Sequence, residues 1–168
     1  YRVQPEDKTI NHIKDLIQTY KVTHIEFGDE NFGADREFTR SLVKRLGKLN
    51  ITWGVGGVRV RTVTLDDMRL WKENGCTHAY FGIESGSPKI LEIMEKNATL
   101  EENINALRFV SECRIETIVQ LVVGMPGEDE NTINETIEGN KKQIQNYEKI
   151  KKSIIWANTL NVEKKKLS

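Results

Sequence analysis

The sequence predicts an α/β fold built on a parallel sheet, and three observations carry that expectation. Short β-branched and apolar runs alternate with longer stretches whose apolar residues recur at three- and four-residue spacing. Helix-capping residues fall at the seams between the two patterns. No low-complexity linker divides the chain, and Pro occurs only at positions 5, 88 and 126. Strands joined by helical crossovers pair in parallel, so a single domain over residues 1–168 is expected.

The elements follow in order. An opening helix over Glu6–Tyr20 places Ile10, Ile13, Leu16 and Ile17 on one side. Strands are expected at Val22–Phe27, Ile51–Val60, His78–Ile83, Thr117–Val123 and Ser153–Leu160. Helices are expected at Asp35–Lys48, Leu65–Asn74, Leu100–Cys113 and Glu130–Ile144, and Phe38, Leu42, Leu46 and Leu49 show the one-sided spacing of the first. Asp35 and Thr64 suit helix N-caps, Thr99 with Glu102 forms a capping-box pattern, and Gly75 stands where a helix should stop.

The 38% of apolar residues suffices for one sizeable core, but 168 residues are few for a complete eight-unit barrel. Twenty-five basic residues balance twenty-five acidic ones, which argues against a nucleic-acid or anionic-membrane partner recruited by charge. Lys149, Lys151, Lys152 and Lys164–Lys166 read as a solvated C-terminal helix end. No apolar run is long enough to span a bilayer and no signal-peptide pattern opens the chain, so a cytoplasmic location is expected. Cys76 and Cys113 are too far apart for a disulfide framework or a metal-ligand spacing; they read as buried small hydrophobes, and no metal ligands are expected.

In a parallel α/β fold ligands sit at the carboxyl ends of the strands, and three strands end in unusual sequences. Gly28, Asp29 and Glu30 put two consecutive acids after a strand, which suits an ammonium group or metal, or equally an exposed acidic turn. Glu84 and Ser85 lead into a Gly-bounded turn. A carboxylate and a hydroxyl are the inventory for vicinal hydroxyls, and Ser85 or Ser87 can also cap a helix that has Pro88 in its first turn. Gly124, Pro126 and Gly127 form a turn whose backbone can meet a flat ring or simply join strand to helix. Gly54-Val55-Gly56-Gly57-Val58 lies within a strand pattern without a third spaced glycine, so a dinucleotide fingerprint is rejected.

The order and spacing of these motifs resemble the radical S-adenosylmethionine (SAM) superfamily, particularly its branch with an N-terminal cobalamin-binding domain, over nearly the whole chain. The resemblance implies a partial (β/α) TIM-type barrel of about five parallel strands with helices on the outer face. It implies that Gly28, Asp29 and Glu30 bind the SAM amino group and that Glu84 and Ser85 bind the ribose. Arg59, in Arg59-Val60-Arg61, would pair with the SAM carboxylate, and the Gly124–Gly127 turn would border the adenine. Arg61 and Gln120 stand where the family pattern carries Asp and Gly.

The family's Cys-x3-Cys-x2-Cys loop, which binds a 4Fe-4S cluster, is absent; its place is upstream of Tyr1, so a truncated core lacking the first and last strands is expected. The chain then holds no catalytic residue and is inactive alone. The resemblance implies a parent enzyme that would cleave SAM reductively, forming a deoxyadenosyl radical or transferring a methyl group through cobalamin, on an unidentified substrate. The alternatives are a noncatalytic SAM- or nucleotide-binding module and a structural barrel fragment. Open edges at Val22–Phe27 and Ser153–Leu160 would seek the missing barrel segments or another copy, with Ile25, Phe27, Ile154, Ile155 and Trp156 exposing apolar surface.

Overall fold

The computed structural model describes residues 4–145, with side chains to residue 139. Ten principal elements run in order: α1 (Glu6–Tyr20), β1 (His24–Phe27), α2 (Arg36–Leu46), β2 (Thr52–Val58), α3 (Leu65–Glu73), β3 (Cys76–Glu84), α4 (Pro88–Ile93), α5 (Leu100–Glu112), β4 (Glu116–Leu121) and α6 (Glu130–Gln145). The strands form one parallel sheet in the order β1-β2-β3-β4. This is the expected parallel α/β architecture, each strand beside the next in sequence. The expected fifth strand, Ser153–Leu160, lies outside the described residues.

Local chemistry explains the boundaries. Asp35 accepts from the Phe38 amide at 3.0 Å, and Thr64 with Asp67 and Thr99 with Glu102 form reciprocal capping boxes at α3 and α5. Gly75, at φ +95°, stops the helical course after α3 in a conformation that favours glycine, and a Cβ there would lie 2.8 Å from the Ile51 carbonyl. The strand expected to run to Val60 ends at Val58, because the backbone tightens into a 3-10 turn over Val60–Thr62.

The helices cover one sheet face. Leu42, Val43 and Leu46 of α2, Met68 and Trp71 of α3, and Ala106, Leu107 and Val110 of α5 pack with Trp53, Val55, Ala79, Phe81 and Ile83 of the strands. Phe32, Trp53 and Trp71 meet with ring centroids 5.1–5.8 Å apart, and the Trp53 indole donates to the Asn74 carbonyl at 2.9 Å. Along β3 burial alternates, with Ala79, Phe81 and Ile83 buried while His78, Tyr80 and Glu84 on the other face stay partly open. Ile25 and Phe27 were expected to expose apolar surface; both instead pack half-buried against the core. Cys76 is buried as expected, and Cys113 only half so. No helix among the described residues is long and apolar enough to cross a membrane.

Candidate functional site

Parallel pairing puts the carboxyl ends of all four strands on one rim, and every candidate segment follows a strand on that rim. After β1 the chain crosses Gly28, Asp29 and Glu30, all exposed. This acidic turn rests on the end of β2: the Phe32 amide donates to the Gly57 carbonyl at 2.9 Å, and a Cβ on Gly57 would lie 2.3 Å from the Asp29 carbonyl oxygen. Glycine is required there by close approach rather than by backbone conformation. Arg59, the first residue beyond β2, is exposed, and its carbonyl accepts from the amide and hydroxyl of Thr62 at 3.0 and 2.8 Å. Arg61 is held away by the Asn97 carbonyl at 2.7 Å and Glu102 at 3.1 Å.

Glu84 closes β3 at φ +63°, a sparsely populated conformation for a non-glycine residue. Its carboxylate Oε1 accepts from Lys96 Nζ at 2.7 Å, and the same ammonium donates to the Gly82 carbonyl at 3.1 Å. Gly82 makes room for this fold-back, since a Cβ there would lie 2.6 Å from Glu84 Oε1. The Glu84 carbonyl accepts from Val122 at 2.9 Å, which ties the ends of β3 and β4 together.

Ser85 turns inward. It is 2% exposed, and its hydroxyl accepts from the Ser87 amide and shares a 3.0 Å hydrogen bond with Thr136 of α6. The Ser87 hydroxyl donates to Glu135 rather than capping α4, while Pro88 takes the first helical position as expected. Asn103 of α5 donates to the Ile83 carbonyl at 3.2 Å, so helices on both sides grip this turn. After β4, Gly124 and Gly127 adopt φ +92° and +79°, and the Gly124 amide donates to Glu128 at 2.6 Å. Gly124 and Pro126 are exposed, with open space around Gly124.

The strand-end segments are thus brought to one edge, with the Ser85 hydroxyl engaged inside its turn. Asn103 and Thr136, which with Lys96 fix the Glu84 turn, carried no chemical signal of their own in sequence, because their role depends on how α5 and α6 dock. A second group was also missed: the sheet register gathers His24, Glu26 and His78 on the face opposite the helices.

The rim chemistry fits SAM. Exposed carboxylates suit an ammonium, a guanidinium suits a carboxylate, and open glycine backbone suits a purine face. The thiols do not fit a 4Fe-4S cluster, because the sequence holds only two cysteines. Cys76 sits in the core, where burial pushes its thiol up to about 12, and burial also raises Cys113 at the end of α5.

A family model described as the radical SAM superfamily matches residues 1–138. An uncharacterized methyltransferase of Pyrococcus horikoshii is 29% identical over 149 residues, covering 88% of this chain and 32% of that protein. An anaerobic magnesium-protoporphyrin IX monomethyl ester cyclase of Rubrivivax gelatinosus is 28% identical over 142 residues, covering 81% of this chain and 25% of that protein. The chain therefore spans a third or less of the length of these relatives.

Among solved structures, the radical SAM methyltransferase TsrM from Kitasatospora setae, with cobalamin and a [4Fe-4S] cluster bound, superposes with a TM-score of 0.76 at 16% identity over 90% of this chain and 31% of its own. The cobalamin-dependent SAM radical enzyme OxsB, with aqua-cobalamin bound, superposes with a TM-score of 0.71 at 21% identity over 80% of this chain and 22% of its own. At these identities the likeness is one of fold.

Proposed function

This chain belongs to the radical SAM superfamily, and on that premise we propose that its rim is a SAM-binding surface of an enzyme that cleaves SAM reductively, with cobalamin-dependent methyl transfer as the reaction type. The observation that carries the reading is the placement of an acidic turn, an arginine, a glutamate and a glycine turn at the carboxyl ends of consecutive parallel strands. The presence of a methyltransferase and of cobalamin-dependent enzymes among the similar proteins supports the reaction type.

Asp29 and Glu30 accept from the methionine ammonium beside the open backbone of Gly28, and Arg59 pairs with the carboxylate. Lys96 occupies Oε1 of Glu84, so Oε2 is the oxygen that accepts from a ribose hydroxyl. Ser85 serves by shaping the turn that aims Glu84, and Gly124, Pro126 and Gly127 border the adenine. A 4Fe-4S cluster supplies the electron when bound, and its thiolates come from residues other than Cys76 and Cys113. The chain also self-associates through the outer edges of its sheet.

Calorimetric titration of the chain with SAM tests the rim assignment. Saturable binding weakened about tenfold by Glu84→Ala, and likewise by Asp29→Asn, is expected, since a charge-assisted hydrogen bond contributes about 1.5–3 kcal/mol. Absence of binding, or unchanged affinity in both variants, would overturn it.

A further inference from the structure

We propose that His24, Glu26 and His78 form a binding site for a divalent transition cation, zinc in the first instance, on the sheet face opposite the helices. The site does not draw on the SAM assignment: His24 and His78 lie in the amino-terminal halves of their strands, while Glu26, the penultimate residue of β1, stands nearer the rim. His24 opens β1, and Glu26, two positions on, projects from the same face. His78 comes from β3, two strands away, and reaches them because β2 carries Gly54 in between. Gly54 is paired with both Glu26 and His78, and a Cβ on it would lie only 2.0 Å from the His78 ring carbon Cε1. The missing side chain is what lets the ring lie across β2.

The three donor atoms lie within 4.8 Å of one another: His78 Nε2 is 2.7 Å and His24 Nε2 3.6 Å from the same Glu26 oxygen, Oε2. Tetrahedral zinc with bonds of about 2.1 Å holds its donors about 3.4 Å apart, so small side-chain adjustments suffice.

Two threonine hydroxyls hold the far ring nitrogens: Thr52 Oγ1 lies 2.8 Å from His24 Nδ1 and Thr77 Oγ1 3.0 Å from His78 Nδ1, and each hydroxyl also reaches a carbonyl, Thr23 at 3.3 Å and Trp53 at 3.2 Å. With both Nδ1 atoms engaged in this way, both Nε2 atoms face Glu26. In the tautomer with hydrogen on Nδ1, each Nε2 presents a lone pair, and a divalent cation then satisfies both histidines and the carboxylate together. Threonine hydroxyls holding the far ring nitrogens are the outer partners that orient histidine ligands. Two histidines and one carboxylate leave a coordination position for water or for an oxygen or nitrogen donor of a substrate.

The test is titration of the chelator-treated chain with cobalt(II), followed by visible ligand-field absorption and displacement by zinc. One equivalent is expected to bind, with affinity lowered roughly tenfold or more in each of His24→Ala, Glu26→Gln and His78→Ala. Cys76→Ser and Cys113→Ser should leave it unchanged. His24 is exposed, so its replacement does not endanger the fold. Zinc should raise the thermal midpoint of the parent chain but not that of His24→Ala. No saturable absorption, affinity indifferent to all three substitutions, or loss on replacing either cysteine would each overturn the proposal.

Discussion

Asp67 shows how a single side chain can hold several elements. Its carboxylate is 4% exposed, caps α3 through the Thr64 amide at 3.0 Å, and receives Arg40 and Arg36 from α2. Burial alone would raise its pKa, but hydrogen bonds from Thr64 and Arg40, with the Arg36 charge, more than offset that and hold it below 3.8. Its stabilising contribution is therefore complete above the unfolded-state value of 3.8 and fades as pH falls through the lower folded value. Asp67→Asn should cost about 1–3 kcal/mol at neutral pH, and urea unfolding across the acidic range should show a flatter loss of stability in the variant. The candidate site was legible at this scale only in part. Arg59 falls inside the expected strand and is singled out only by the family resemblance, whereas Asp29, Glu30 and Glu84 are polar residues at strand ends and can be read from pattern. The inward turn of Ser85 cannot be, because it depends on Thr136, a distant residue that reaches Ser85 only once α6 has docked.

At the scale of elements, the acidic turn and β2 are one unit, because the turn lies directly on Gly57. Gly57→Ala should push the Asp29 backbone aside, lower stability by about 1–3 kcal/mol and weaken SAM binding. Gly28→Ala, with nothing within 4 Å of its Cβ, should leave stability unchanged. Urea midpoints of the two variants check this contrast, and SAM titration checks the loss of binding in Gly57→Ala; equal midpoints would refute it. Helix and strand boundaries were largely readable because they depend on local chemistry: Asp35, Thr64, Thr99 and Gly75 act within a few residues of where they stand. The end of β2 was missed because Val60 and Val63 look like strand residues in isolation, whereas both are buried around a 3-10 turn. The grouping of His24, Glu26 and His78 was likewise hidden, since it arises from register across three strands and from one absent Cβ.

For the whole molecule, the sheet's outer strands among the described residues are β1 and β4. The half-burial of Ile25 and Phe27 removes much of the apolar surface expected at the first edge, so backbone pairing groups are left as the main attraction there. Ile133 and Ile137, one turn apart on α6 and 40% and 42% exposed, add an apolar stripe. Light scattering over a dilution series should therefore show mass rising with concentration; a monomer at every concentration would rule self-association out. The parallel order was predictable because short strands and one-sided helices alternate along the chain. The strict sequential order has a consequence for biosynthesis. Each of β2, β3 and β4 finds its first hydrogen-bonding neighbour in a segment that left the ribosome earlier, so these strands can be laid down during translation, unit upon unit. Growth of this kind is one-directional, and a pause in translation between units would hold a shorter sheet that already has the handedness and register of the finished one.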